Sequence, residues 1–454
     1  MSATTVSAPG KILLAGGYLV LESPNAGYVV AADKRFYTTV ESSGPPNTII
    51  VCSPQFHSQW TYSFQVFEES SLSVTCTEGS NNPFVEKTLR VVLAYLHAKE
   101  IPLLSLTITI QADNDFYSVL PHLQGRERTP ANVDALPRFC KCPTDETGEV
   151  IVNKTGLGSS AALTTSLVGA LYQHFIGSLD TLEIHNLAQI CHCHAQGKVG
   201  SGFDVSSAMY GSHIYRRFPK CVLPDLLQQL GDTGGDISAG TSSLLEHIAQ
   251  TTWADNLVTP LSLPPGLQIL LADVCGGSES PSMARKVLSW KQSQIGASST
   301  IPHWSDLQKW NGETFDSMQT LRDKPIDVEA LAPLTAAEWE SDPQAQVLVE
   351  LRAAFLECRH HLRSMGEAAG VPIEPPEQTE LCNATMRLPG VVAALVPGAG
   401  GYDAVACIYL ETPATKQMIG ELWAKWSGNG QLICPLAVQA TTDGIQVEPN
   451  FSIV

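Results

Sequence analysis

The stretch that most constrains this chain runs from Glu149 to Leu163 and reads Val-Ile-Val-Asn-Lys-Thr-Gly-Leu-Gly-Ser-Ser-Ala-Ala between them. A short apolar strand ends at Lys154, two glycines follow, and a helical pattern opens. Gly156 and Gly158 allow a tight turn and a close approach of backbone to a ligand. Ser159 and Ser160 are good N-cap types for the helix. Free amides at a helix N-terminus attract anions, and Lys154 adds a cation at the mouth. A serine hydroxyl there also suits a magnesium ion carried by a phosphate ligand. The segment therefore predicts a strand–loop–helix phosphate site.

Two other phosphate motifs fit less well. Gly156-Leu-Gly158-Ser-Ser-Ala161 matches the relaxed dinucleotide fingerprint, which requires a second strand after the first helix. Here Leu179 to His194 reads as another helix. A Walker loop needs Ser or Thr after Gly-Lys, and neither Gly10-Lys11 nor Gly197-Lys198 has one.

The 454 residues favour two domains, and 44% hydrophobic with 16% charged residues describes a globular chain. A formal net charge of −18 repels nucleic acid and anionic lipid, so neither is an expected partner. A phosphate site must then be built from local cations and amides. The 12 cysteines are scattered and the opening residues are small and polar, so reduced thiols in the cytoplasm are expected. No run of about 18 apolar residues suggests a membrane span. Cys191-His-Cys-His194 is contiguous in a helical pattern, where neighbours point apart, which disfavours zinc.

Periodicity predicts β structure over residues 1–40, a strand over 103–111, and helices over 84–98 and 160–176. Asp113 to Thr147 and Gly231 to Ser243 read as loops, with a domain boundary near Arg217 to Leu226. The second half predicts strands Leu267 to Val274 and Ala404 to Leu410, and helices over 279–295, 304–321, 340–365 and 377–388.

The phosphate loop has company. Ser7-Ala-Pro-Gly-Lys-Ile-Leu-Leu-Ala-Gly-Gly-Tyr18 stands near the N-terminus and Pro397-Gly-Ala-Gly-Gly-Tyr-Asp403 near the C-terminus. The three segments, in this order, resemble the three motifs of the GHMP kinases. Ala195 to Val205 and Gly277 to Val287 further resemble the eukaryotic phosphomevalonate kinases.

The resemblance implies an α+β fold in two domains. Residues 1–222 would form an ATP-binding domain like ribosomal protein S5 domain 2, and 223–454 a ferredoxin-like domain. It implies ATP and Mg2+, a small phosphorylated acceptor, and a monomer or homodimer. The rivals are mevalonate kinase and a GHMP-fold nucleotide sensor without catalysis.

By the same resemblance, Lys11 bridges acceptor and transferring phosphoryl group, and Asp204 orients the acceptor, Lys11 or the metal. ATP would meet Lys154, Thr155, Gly156, Leu157, Gly158, Ser159, Ser160 and Ala161, with Asn82 near adenine and Ser160 on the metal. The acceptor would meet Lys198, Ser201, Ser278, Ser282, Arg285, Gly400 and Gly401. Mevalonate kinase carries a magnesium-binding glutamate shortly before its aspartate, where this chain has His192 and Cys193.

Overall fold

A computed structural model describes residues 3–67, 71–80, 82–231, 236–255, 257–274, 280–295, 301–426 and 432–452. The long apolar runs at the N-terminus become β1 (Thr4–Ala15) and β2 (Ala26–Ser42). They pair antiparallel, with Val6 opposite Thr38 and Ile12 opposite Val30. Tyr28 to Ala32 is buried throughout, which is why it reads as a continuous apolar run rather than an alternating one.

Around this pair an 11-stranded sheet forms among the described residues. It takes in β3 (Thr48–Ser53), β4 (Ser58–Val66), β5 (Leu72–Glu78) and β6 (Leu106–Ala112), then β7 (His213–Arg216), β8 (Asp236–Ile237) and β9 (Val258–Pro260). β3 and β6 pair in parallel. The second sheet has four strands: β10 (Leu267–Asp273), β11 (Val391–Leu395), β12 (Ala404–Leu410) and β13 (Cys434–Leu436), in the order β11-β12-β10-β13. The chain then returns to the first sheet. β14 (Ala440–Thr441) pairs with β2 and β15 (Gln446–Val447) with β1.

Strands past Leu226 thus still belong to the first sheet, as do residues 440–447. The expected boundary near Arg217 to Leu226 falls inside that sheet's sequence range. Polar, short strands such as Asp236–Ile237 carry too little apolar period to be seen in sequence.

The longer helices of the first half are α1 (Pro83–Ala98), α2 (Ser159–Ile176), α3 (Thr181–Gln196), α4 (Phe203–Tyr210), α5 (Pro224–Gly231) and α6 (Ala239–Gln250), and the stretch expected as a loop from Asp113 to Thr147 holds two short ones, Leu120–Leu123 and Pro130–Asp134. α2 packs on β1 and β2 and is buried almost all round. Its Gly169 is required by the returning chain: a Cβ there would lie 2.3 Å from Ile445 Cδ1. The loop expected from Gly231 to Ser243 gives way to α6 at Ala239, because the Ser238 side chain accepts the Thr241 amide as a cap.

The second half adds α7 (Ser280–Gln294), α8 (Trp304–Asp323), α9 (Gln346–Ala369), α10 (Pro376–Thr385) and α11 (Pro413–Ala424). No described helix is long and apolar enough to cross a membrane.

Candidate active site

The phosphate loop is pinned before α2 begins. The Thr155 hydroxyl donates to the Asp115 carbonyl, and its amide donates to Phe116 O at 3.3 Å. Gly156 and Gly158 both take φ of 79°. The cap of α2 is Gly158 itself, left-handed and with no side-chain acceptor. This corrects the expectation that Ser159 or Ser160 caps the helix. Ser159 is buried, with its side chain beside the Tyr117 hydroxyl. Ser160 Oγ lies 3.1 Å from His192 Nε2. The N–H groups of Gly158, Ser159 and Ser160 have no protein acceptor among the described residues. A left-handed residue followed by a right-handed helix turns successive N–H groups inward, a geometry that receives anions.

The first motif closes on this loop. The Lys11 amide donates to Leu157 O at 2.9 Å and its ammonium to Gly156 O at 2.7 Å. A Cβ on Gly10 would come 3.0 Å from Leu157 O. The third motif closes on the first: Tyr18 donates its hydroxyl to Ala399 O at 2.7 Å, and a Cβ on Gly17 would lie 3.0 Å from Gly398 O. Burial lowers the pKa of Lys11, while Asp204 and Asp403 oppose that shift and favour its charged form. Three segments far apart in sequence thus meet at one ammonium group.

The cleft they line has a volume of about 1260 Å³. This exceeds the roughly 300–1,000 Å³ of a single small-molecule pocket. Both halves of the chain contribute: Lys154, residues 156–160 and residues 198–204 from one, Arg285 and residues 396–400 from the other. Lys11, Lys154, Lys198, Arg217 and Arg285 line it, against Asp204 and Asp403. A chain with net charge −18 therefore gathers cations at one place, which suits polyanionic ligands.

On the wall facing the loop, Asp204 sits in the first turn of α4. Its Oδ2 is 3.8 Å from His192 Nε2. Burial, with Lys198 and Lys154 nearby, lowers the pKa of His192 against the pull of Asp204, so the ring is neutral at neutral pH. Burial and the neighbouring Arg285 likewise lower that of Lys198.

Of the residues singled out in the sequence, Lys11, Lys154, Gly156, Leu157, Gly158, Ser159, Ser160, Lys198, Ser201, Asp204, Arg285 and Gly400 line this cleft. Others do not. Thr155 and Ala161 are buried beneath it. Asn82 caps α1, its side chain accepting from Phe84 N and Val85 N, while Phe84 rather than Asn82 faces the cleft. Ser282 is half-buried on α7 and away from the lining. Ser278 lies outside the described residues.

The glycine-rich turn needs a correction. The Gly398 amide donates to Leu13 O at 3.3 Å, Gly400 to Pro397 O at 3.3 Å and Gly401 to Ile373 O at 2.9 Å. These glycines shape the turn rather than aim amides at a ligand. A Cβ on Gly400 would lie 2.1 Å from Ile373 O, so the close approach is to protein.

Sequence reasoning passed over Gln189, Gln196 and Arg217, which line the cleft. The signal was present: positions 189, 192, 193 and 196 fall on one face of a helix. That face of α3 carries polar residues into the cleft although the helix is otherwise buried.

Residues 146–212 match the family described as the GHMP kinases N terminal domain. Phosphomevalonate kinase of Aspergillus fumigatus is 36% identical, covering 94% of this chain and 91% of its own. The peroxisomal phosphomevalonate kinase of Arabidopsis thaliana is 35% identical, covering 98% and 96%. The solved Streptococcus pneumoniae phosphomevalonate kinase, in complex with phosphomevalonate and AMPPNP, has the same fold. Its TM-score is 0.60 at 13% identity, covering 97% of this chain and 100% of that one. With such identity to fungal and plant relatives along nearly its whole length, this chain belongs to the phosphomevalonate kinase family of the GHMP kinases.

Proposed function

We propose that this protein transfers the γ-phosphate of ATP to 5-phosphomevalonate, giving 5-diphosphomevalonate and ADP. The observation that carries it is the position of Lys11. Its ammonium is bonded to the phosphate loop through Gly156 O and lies within the electrostatic reach of Asp204 and Asp403 on the facing walls. A cation there sits between a site for triphosphate and a site for a second anion.

Phosphoryl transfer is mainly positioning and charge stabilisation. In this reading the α2 N-terminus and Lys154 hold the triphosphate of ATP. Lys198, Ser201 and Arg285 hold the acceptor, and Lys11 offsets charge between the two. The acceptor phosphate has a second pKa of about 6 and is mostly dianionic at neutral pH, so no strong base is required. Asp204 then orients Lys11 and the acceptor.

The oxygen donors at the loop suit the magnesium ion of the nucleotide, which prefers a few hard protein oxygens beside phosphate oxygens and water. Ser160 and Asp204 would hold it, with the neutral His192 bonded to Ser160 and close to Asp204. Bound there, it would neutralise charge on the β- and γ-phosphates.

The two domains, in this reading, divide between Pro260 and Leu267, and the strands at 440–441 and 446–447 return to the first. The eleven described cysteines are free thiols, in keeping with a cytoplasmic location.

A coupled ADP-release assay comparing mevalonate with 5-phosphomevalonate tests the proposal. ADP should form with the phosphorylated acceptor and scarcely with the alcohol. Equal turnover of mevalonate, or no ADP from either, would overturn it.

A further inference from the structure

Three consecutive carbonyls before α4 are turned into the protein interior. Gly200 O accepts from Arg217 Nη2 at 2.6 Å, Ser201 O from the Tyr215 hydroxyl at 2.7 Å, and Gly202 O from Gln189 Nε2 at 2.7 Å. Gln189 and Tyr215 are fully buried and Arg217 is 9% exposed. A trans peptide sets its N–H opposite its C=O. The N–H groups of Ser201, Gly202 and Phe203 therefore face the other way, towards the cleft that all three residues line. None of the three has a protein acceptor among the described residues. Gly202 is left-handed, with φ of 86°, and the helical Phe203 follows. This is the same inward-turned arrangement as at Gly158.

The clamp closes tightly on a glycine. A Cβ at Gly202 would lie 2.6 Å from Phe218 Cε1 and 2.7 Å from the Tyr215 hydroxyl oxygen. Two of its polar atoms, Gln189 Oε1 and Arg217 Nε, are buried without a partner among the described residues, and both side chains line the cleft. Arg285 stands close enough to Lys198 to disfavour the charge of that lysine. An anion between them would relieve that repulsion.

We propose that Arg217, Tyr215 and Gln189 are positioning residues for the acceptor. They hold three amides of the Gly200–Phe203 segment as receptors for an anionic oxygen of the phosphorylated acceptor. The inference rests on the functional reading above and adds to it the device that orients the acceptor side.

The test uses full-length protein with Tyr215→Phe and, separately, Gln189→Met, each removing one donor at similar volume. Steady-state kinetics are measured with each substrate varied in turn. Loss of one such bond should raise KM for 5-phosphomevalonate about three- to ten-fold. KM for ATP and binding of a non-hydrolysable ATP analogue should stay at wild-type values, which also shows that the variants fold. If Tyr215→Phe does not fold, Gln189→Met decides alone. Unchanged KM for the acceptor, or an equal rise for both substrates, would overturn the clamp while leaving the functional reading intact. No turnover of 5-phosphomevalonate by the wild-type protein would overturn both.

Discussion

Lys11 is tied to the phosphate loop at both ends: its amide donates to Leu157 O at 2.9 Å and its ammonium to Gly156 O at 2.7 Å. Strand β1 and the loop before α2 are therefore fastened together at this residue. In the proposed transfer the ammonium would meet the phosphoryl group from this position.

Replacing Lys11 removes a preorganised cation and little of the nucleotide site. Lys11→Ala should lower kcat by about 10²–10³-fold, the usual cost of one such donor, while an ATP analogue still binds. The pH profile should also report on it. Burial lowers its pKa and Asp204 and Asp403 only partly restore it. The protonated form is the useful one, so activity should fall on the alkaline side at a pH below that of an ordinary lysine. Lys11→Arg should remove this limb. Normal turnover by Lys11→Ala would take Lys11 out of the mechanism.

Gly158 is held by two constraints at once. Its φ is +79°, and a Cβ would meet Lys11 Cγ at 2.9 Å and Cε at 3.0 Å. Gly158→Ala should displace the lysine stem and reduce kcat at least about ten-fold, in line with the sensitivity of turnover to small misplacements. Gly177, the C-cap at the other end of α2, supplies the control. It too has positive φ, but nothing lies within 4 Å of its added Cβ. Gly177→Ala should cost about 1 kcal/mol of stability and leave kcat alone. Thermal melts and steady-state kinetics on the pair would separate strain from displacement; equal kcat in both would refute the argument.

Much of this architecture is legible in the residues. β12 runs from Ala404 to Leu410 as its apolar run indicates, and α2 starts within one residue of its expected position. These elements are buried on several sides, so local composition and tertiary demand agree. β3 and β4 do alternate, with Ile49, Val51, Trp60, Tyr62 and Phe64 turned inward, a period that the sequence reading passed over, whereas the two residues of β8 are too few to show one. In the site, glycine and lysine motifs reveal Lys11 and the loop. Gln189 and Arg217 are not legible because their roles depend on carbonyls of another segment, Gly200 and Gly202, that only folding brings to them. The glycines of the 397–403 turn show the converse. Their conformation was foreseeable, but that their amides serve Leu13, Pro397 and Ile373 was not.

Three buried histidines make stability depend on pH. Burial pushes His185, His194 and His213 down to about 4, with partial compensation for His185 from Asn186 and for His213 from the Gly211 carbonyl. In the unfolded chain each titrates near pH 6.5. Between those values the unfolded state binds more protons, so stability is complete above pH about 6.5 and is lost as the pH falls towards about 4. Melting temperature measured across that window should decline steadily with acid. His194→Gln should make the decline shallower by removing one of the three groups. A melting temperature flat through the window would contradict the assignment.

A buried carboxylate supports the glycine-rich turn from behind. Glu374 accepts from Arg359 Nε at 2.9 Å and Nη2 at 2.6 Å, from Arg363 Nη1 at 2.8 Å and from Thr379 Oγ1 at 3.0 Å. The neighbouring Ile373 carbonyl receives the Gly401 amide at 2.9 Å. Burial alone would raise the pKa of Glu374. The hydrogen bonds and charge of Arg359, with Arg363, outweigh it and leave the pKa lowered. Its stabilising contribution is therefore present above the ordinary carboxylate range and disappears as pH falls through the lowered value. Glu374→Ala leaves the Arg359 guanidinium buried and unpaired, a change that costs about 3–5 kcal/mol. Urea unfolding at neutral pH should show that loss. At a pH acid enough to protonate Glu374 in the folded protein, the gap between variant and wild type should narrow. A variant as stable as wild type at neutral pH would show that Arg359 finds another partner, and that the network does not hold the turn in place.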